Sequence, residues 1–366
     1  MRYPIAVVSA DWHVEFNAYV KIRDMTRDSH FSLEQIVDLC VDRELPLIGA
    51  GDLFDKNSPD SASVQFVVNQ MDRLKPFGSC WYVQGQHEMV RSHPWMGLSP
   101  RAKHIHKSLV ELHDVRFYGL DYQRPDNLGP ELKAIPATAD VLVCHQVWID
   151  LMGRQIGGEG EFSQIPHVAA VITGDFHKHL AMEAVGASSQ RMLVFSPGSI
   201  CLQSIKEDPS KFVFILYDDL SYESVKLKTR PVRKLSALSP EGFEEVLRIL
   251  PESLEPGVGL PDYISKPIVE IRYAHDIPDV HMRVHKIAKD RAHLFLTTIA
   301  KKEEDVVIQS GEHSETVARG LLGNLDKFCP VGTPINTLSD RLLRSDDPAE
   351  LDKIEKEYIG EETVCT

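Results

Sequence analysis

No apolar run in this 366-residue sequence reaches the roughly 20 residues that a bilayer-spanning helix needs, so no transmembrane helix is expected. Cysteine is scarce. Cys40, Cys80, Cys144, Cys201, Cys329 and Cys365 are the full set, and no two form a C-x-x-C pair, which argues against a zinc knuckle. Several lie inside apolar runs, as Cys144 does after Val141, Leu142 and Val143, and these read as buried free thiols in a reducing compartment. Positive charge is also short: 40 Lys and Arg face 54 Asp and Glu, a net charge of −14. A chain that grips nucleic acid by its own surface is usually basic, so autonomous tight binding of that kind is not expected. An enzyme that meets a polyanion through bound metal ions and a partner's charge remains compatible. There is no internal repeat and no low-complexity tract. Met1, Arg2, Tyr3 and Pro4 lead straight into a strand-like run unlike a secretory signal, which gives a cytoplasmic expectation.

The length suggests two domains. Strand-like runs fall at 5–8, 45–50, 79–83, 141–144, 169–173, 192–195 and 212–216. Between them lie helical faces. Leu33, Ile36, Val37 and Cys40 form one, behind a capping box of Ser32 with Gln35; Val64, Val67, Val68 and Met71 form another, opened by Asp60 or Ser61. The Met71 stripe reads first as core, and second as a dimer surface. The alternation predicts a layered α/β core over 1–234. The pattern breaks around Pro231, and 251–262 is a Pro- and Gly-rich loop. A strand at 267–273, a helix near 280–289 and a strand at 294–300 predict a β-α-β unit within a smaller region, 235–337. The tail, 338–366, is charged and helix-like, with Leu342, Leu343, Leu351 and Ile354 as its few apolar contacts. It is a candidate for docking a partner, with a solvated acidic helix as the plainer reading.

Metal-ligand residue types follow the strand-like runs directly. Asp11 and His13 follow the first, Asp52 and Asp55 the second, Gln86, His87 and Glu88 the third; His145 closes the fourth, and Asp175, His177 and His179 follow the fifth. Ligands of open α/β sheets bind beyond the carboxyl ends of the strands, so neighbouring strands would bring the five clusters to one site. Carboxylates and imidazoles together suit Mn, Fe or Zn better than Mg or Ca. Two ions about 3.5–4 Å apart activate water and stabilise the leaving oxygen of a phosphodiester. Gly51, Gly85 and Gly174, each just before a cluster residue, are expected to let the backbone turn sharply. One D-x-H triplet is weak evidence, and Gly-Asp pairs at strand ends are mostly turns; the ordered set of five carries the weight.

The order D-x-H, G-D-x-F-D, G-x-H-[DE], a lone His and G-x-x-H resembles the calcineurin-like metallophosphoesterase family. Gly51-Asp52-Leu53-Phe54-Asp55 with Ser58, Pro59 and Ser61, and Ser196-Pro197-Gly198-Ser199 with Glu207, Lys211 and Phe212, are similar to its SbcD branch of DNA nuclease subunits. The resemblance covers about 1–234. It implies a layered metallophosphoesterase β-sandwich flanked by helices, with a smaller C-terminal α+β capping domain. It implies that Asp11, His13 and His177 hold one ion, that Asp52 bridges, and that Gln86, His145 and Asp175 hold the second. His87 would be the non-ligand histidine that contacts the scissile phosphate and serves the leaving group. Two divalent ions, manganese by preference and magnesium as the alternative, are the implied cofactors. DNA, an SbcC-like coiled-coil ATPase and a second copy of the chain are the implied partners; no membrane is. The family usually has Asn at Gln86 and His at Asp175. Gln offers the same amide oxygen on a longer stem, and Asp makes the second site harder and more anionic. These variants resemble those of virus-encoded relatives, which would place the chain in a host cytoplasm.

The implied activity is a metal-dependent DNA exonuclease with some single-strand endonuclease action, in recombination or repair. A small-substrate phosphodiesterase or phosphatase is the alternative on the same fold, and a catalytically weakened scaffold for DNA or an ATPase is the third. Asp55 reads as a turn cap ahead of a ligand-orienting acceptor, and Glu88 shares that ambiguity. His145 by itself could be a core histidine, and His179 a mere neighbour. A DNA track is expected along Lys226, Lys228, Arg230, Arg233 and Lys234, and along Lys286, Lys289, Arg291, Lys301 and Lys302, against the plain reading of a solvated strand edge.

Overall fold

The computed structural model describes residues 2–15, 27–74, 78–89, 95–153 and 158–299. They belong to a compact unit, Met1–Ala300; a second unit, Lys301–Thr366, lies outside the described residues. So do the expected helical tail, most of the end of 235–337, and Lys301, Lys302, Cys329 and Cys365.

Two six-stranded sheets make the larger part. The first runs β12 (Tyr222–Lys226), β11 (Phe212–Tyr217), β1 (Pro4–Ser9), β2 (Leu47–Ala50), β3 (Cys80–Val83) and β4 (Ala102–His104). The second runs β5 (Leu109–Leu112), β6 (Val115–Leu120), β7 (Val141–His145), β8 (Ala170–Gly174), β10 (Arg191–Ser196) and β9 (Leu180–Val185). Strands β1, β2, β3 and β4 are mutually parallel, as are β6, β7, β8 and β10, so each sheet aligns several carboxyl ends.

The central strands are apolar throughout because both of their faces are covered. In β1, Ala6 and Val8 enter the layer between the sheets with Ile48, Phe117, Val143 and Ile172. Val7 points the other way, into the layer under α1 (Asp28–Arg43) and α2 (Ser61–Arg73), with Leu33, Ile36, Val67 and Met71. The outer face of the second sheet is closed by α3 (Pro125–Lys133), by Trp148 just ahead of α4 (Ile149–Met152), and by Phe162. The result is a helix–sheet–sheet–helix sandwich, the mixed α/β architecture expected of a metallophosphoesterase. Met71 and Val67 are wholly buried in it, so the stripe carrying them is core and offers no dimer surface.

Helix boundaries follow the sequence unevenly. Asp60 caps α2 by accepting from the amides of Ala62 (2.9 Å) and Ser63 (2.8 Å). Helix α1 begins at Asp28, four residues before the expected box; Ser32 is buried within it, and Gln35 reaches across to the backbone of Lys228.

A smaller layer follows: β13 (Val232–Ala237), α5 (Pro240–Ser253), α6 (Asp262–Ser265), β14 (Ile268–Ala274), α7 (Val280–Ala288) and β15 (His293–Ile299). Its three strands are parallel, and Phe243, Val246, Leu250, Ile271 and Val284 form its core. It begins at Val232, so the boundary expected after 234 falls inside a strand. Arg230 lies at the joint. Its guanidinium donates to both oxygens of Asp28 (2.7 and 2.9 Å) and to the carbonyls of Lys266 (2.7 Å) and Tyr263 (3.0 Å). Arg230 is 4% exposed, so it is removed from the expected DNA track: a guanidinium sealed on a carboxylate and two carbonyls cannot meet a phosphate. Lys226, Lys228, Arg233, Lys286 and Lys289 are exposed.

Candidate metal centre

The five expected clusters leave the carboxyl ends of β1, β2, β3, β7 and β8. The first two loops are stitched together by backbone hydrogen bonds: the amides of Asp11, His13 and Val14 donate to the carbonyls of Gly51, Asp52 and Leu53, each at 3.0 Å. Buried Glu88 draws the third loop in, its carboxylate accepting from the amides of Leu53 (3.0 Å) and Phe54 (2.9 Å). Asp11, His13, Asp52 and Asp175 all have positive φ, between 44° and 74°. Side-chain-bearing residues enter that region at a cost of about 1 kcal/mol or more each, and such strain concentrates at functional sites.

The loops bring the candidate ligands together. Ligand atoms of Asp11, His13 and His177 lie within 4.8 Å of one another, and so do those of Asp11, Asp52 and His145. Asp52 Oδ2 is 3.3 Å from His145 Nε2, 3.8 Å from His13 Nε2 and 3.8 Å from His87 Nε2, a position between the two sets. Asp175 Oδ1 is 3.8 Å from His145 Nε2. Gln86 joins them through its amide nitrogen, which donates to Asp175 Oδ1 at 2.6 Å. A third grouping, His13 with Asp55 and His87, overlaps the first at His13.

The test of whether an ion pair fits is the state of the inward-facing atoms. His13 Nε2, Asp52 Oδ2, Gln86 Oε1, His145 Nε2 and Asp175 Oδ2 are all buried and make no hydrogen bond. A buried polar atom without a partner costs about 1–3 kcal/mol, so five at one spot call for a shared partner. The opposite ring nitrogens are occupied. Nδ1 of His145 faces the carbonyl of Ala50 (2.7 Å), that of His13 faces Asp55 Oδ1 (3.2 Å), and that of His177 faces Glu207 Oε1 (2.9 Å). An acceptor on Nδ1 holds a proton there, so it is Nε2 whose proton a metal would replace, and the ring then binds through that nitrogen. These residues fit a pair of divalent ions.

The charge balance agrees. Burial alone would lower the pKa of His145, but Asp52, Asp11 and Asp175 around it raise it to about 10. Burial raises Asp52 less than the imidazoles of His145, His13 and His87 lower it, so its carboxyl is held well below the usual range. Fully buried Asp11 is raised, because burial outweighs the imidazoles of His145, His177 and His13. A protein that crowds three carboxylates here in a buried site suits positive charge from outside the chain.

The glycines serve a different purpose from the one expected. Gly51 does turn, at φ 87°, but Gly85 and Gly174 have no positive φ and are needed for clearance: an added Cβ would collide with the Asp52 carboxylate at Gly85, and with the Ala50 carbonyl and the His145 ring at Gly174. Asp55 is the orienting acceptor for His13 instead of a turn cap, and its carbonyl takes His87 Nδ1 at 2.9 Å. That leaves His87 Nε2 at the mouth, on a side chain 44% exposed. His179 stacks on Phe212 and Phe214, bonds to Pro197 and Ser224, and does not join the cluster. The support of His177 is not visible from spacing: Glu207, 30 residues on, is held by Lys211 Nζ (2.7 Å) and Ser199 Oγ (3.1 Å), and its contacts with His177 and Lys211 outweigh burial to lower its carboxyl to about 2. Its only sequence signal is the segment from Ser196 to Phe212.

No family model matches the chain. Two curated relatives are similar, each a DNA double-strand break repair protein Mre11. That of Methanosarcina acetivorans is 22% identical over 277 residues, 68% of this chain and 43% of the relative. That of Methanosarcina mazei is 22% identical over 275 residues, 68% and 42% respectively. The matches span less than half the length of these relatives. Among solved structures, the 5'-nucleotidase precursor from Thermus thermophilus aligns over 62% of this chain and 54% of its own, at 14% identity and a TM-score of 0.35. The two-sheet sandwich is the fold of the metallophosphoesterase class, and the similarity to curated proteins agrees with it. Within that class its sequence is similar, at 22% identity, to the Mre11 proteins, which are calcineurin-like and SbcD-like. No described helix is long and apolar enough to cross a membrane.

Proposed function

We propose that the chain is a manganese-dependent DNA nuclease that works on DNA ends, with some single-strand endonuclease action. Its partners in this reading are an SbcC-like coiled-coil ATPase and a second copy of itself, within a recombination or repair complex in the cytoplasm. The observation that carries it is the convergence of five buried, unbonded ligand atoms beside one exposed imidazole. In this reading Asp11, His13 and His177 hold one ion, Asp52 is shared, and Gln86, His145 and Asp175 hold the other. The bound pair supplies Lewis-acid activation of water and of the phosphoryl group. Asp175 in place of an imidazole makes the second set harder and favours manganese or magnesium. His87 stands apart from the ligands: the Asp55 carbonyl fixes its Nδ1, so Nε2 faces the substrate and, when the ring carries its second proton, can donate it to the leaving oxygen.

The assay is hydrolysis of linear DNA and of a chromogenic phosphodiester in manganese, by wild type, His87→Ala and Asp52→Ala. Wild type cleaves DNA; His87→Ala loses about 10²–10⁴-fold; Asp52→Ala loses activity and bound metal. Digestion unchanged in either variant overturns the reading. Turnover of the chromogenic diester with no action on DNA favours a small-substrate phosphodiesterase instead.

A further inference from the structure

A cleft of about 920 Å³ opens beside His177, walled by Phe176, Phe212, Lys178, Lys206 and Lys234. Its charge is unusual for a chain of net charge −14. Lys178, Lys206 and Lys234 are exposed, and none is ion-paired to a carboxylate among the described residues. Of the acids at the wall, Glu207 is engaged by Lys211 and His177, which leaves Asp208 alone in opposition. Phe176, between the candidate ligands Asp175 and His177, is half-buried and has no ring partner among the described residues. Lys234 Nζ donates only to the Glu207 carbonyl, at 3.4 Å. An aromatic face without a ring partner among lysines without a carboxylate, contiguous with a phosphoesterase centre, is the chemistry that binds single-stranded nucleic acid: bases stack on the ring and phosphates meet the ammonium groups. The volume falls in the range of pockets that enclose one small ligand, about 300–1,000 Å³, which is room for a flipped or unpaired nucleotide.

We infer that this cleft seats an unpaired polynucleotide strand next to the scissile phosphate, with Phe176 as the stacking platform and Lys206 and Lys234 on the backbone. The inference rests on the nuclease reading and narrows it to strands that are single at the point of cutting. It also moves the main nucleic-acid contact away from α7.

The test is equilibrium binding without metal, in EDTA, so it does not depend on turnover. Fluorescence anisotropy follows a labelled short oligothymidylate and a blunt hairpin duplex. They are titrated with the full chain, with Lys206→Glu/Lys234→Glu, and with Lys286→Glu/Lys289→Glu, which makes the same change in net charge; circular dichroism checks that all three are folded. The cleft variant binds the single strand about tenfold or more weaker, with a salt dependence reduced by about two phosphate contacts. The α7 variant binds it as wild type does, and the hairpin is less affected. Equal single-strand binding by cleft variant and wild type overturns the inference, as does a loss of the same size in the α7 variant or on the hairpin. Binding in the cleft by a chain that cuts no DNA in manganese overturns the nuclease reading alone.

Discussion

At the scale of single residues, Gln86 and Asp175 act as a pair. The two positions depart from the family's usual Asn and His, and the structure joins them by a 2.6 Å hydrogen bond from the Gln86 amide to Asp175 Oδ1. That bond leaves Gln86 Oε1 and Asp175 Oδ2 buried and without a hydrogen-bond partner. The extra methylene of Gln is what reaches, so Gln86→Asn is expected to lose both the bond and the second ion. Metal analysis of dialysed protein should fall from two ions per chain toward one in Gln86→Asn and in Asp175→Ala. The double variant should fall little further, because residues of one network couple by about 0.5–3 kcal/mol; full additivity would show that the two act separately. Gly85 gives a second residue-scale test. Gly85→Ala forces a methyl into the Asp52 carboxylate and should abolish metal uptake, whereas Gly97→Ala, with open space around it, should not.

At the scale of elements, the joint between the sandwich and the smaller layer depends on Asp28, in the first turn of α1, and Arg230, just ahead of β13. Burial raises the Asp28 carboxyl despite the adjacent guanidinium, a sign of how dry the joint is. Removing one member of a buried pair strands the other charge, at about 3–5 kcal/mol. Asp28→Ala should therefore lower the urea midpoint of the wall holding β13 and Lys234; an unchanged midpoint would mean that the pair is solvated and contributes little. The same pair explains a misreading. Arg230 sits among Lys226, Lys228, Arg233 and Lys234 in sequence and looks like one more basic residue, and only its partner 202 positions earlier withdraws it from solvent. Ser32 is a similar case: its box with Gln35 is locally plausible, but α1 starts earlier because residues from Asp28 onward are buried against neighbouring elements.

At the scale of the whole molecule, the candidate centre is a source of instability until it is filled. Asp11, Asp52 and Asp175 crowd together on left-handed backbone, with five buried atoms unbonded. A ligand that binds only the folded state adds RT ln(1 + [L]/Kd), about 2.7 kcal/mol at a hundred times Kd. Manganese should raise the melting temperature, excess EDTA should reverse the rise, and Asp52→Ala should abolish it. A melting curve indifferent to manganese would sink the metal centre itself.

The strands of the sandwich, and the ends from which the site grows, can be read in the order of amino acids alone. Period-two and continuous apolar runs report burial directly, and β1, β2, β3, β7, β8, β10 and β11 all fall on runs legible that way. Weakly patterned edge elements such as β5, β9 and β12, with one face or edge in solvent, carry no such signal. The order of Asp, His and Gln after those strands was also legible, because motif residues lie within a few positions of each other. Which atoms those residues leave free depends on the packed fold: Glu207 behind His177, Asp55 behind His13, Ala50 behind His145 and Gln86 against Asp175 are contacts between segments 30 or more residues apart. Hydrogen bonds of that kind depend on distance in space, and separation along the chain does not encode it.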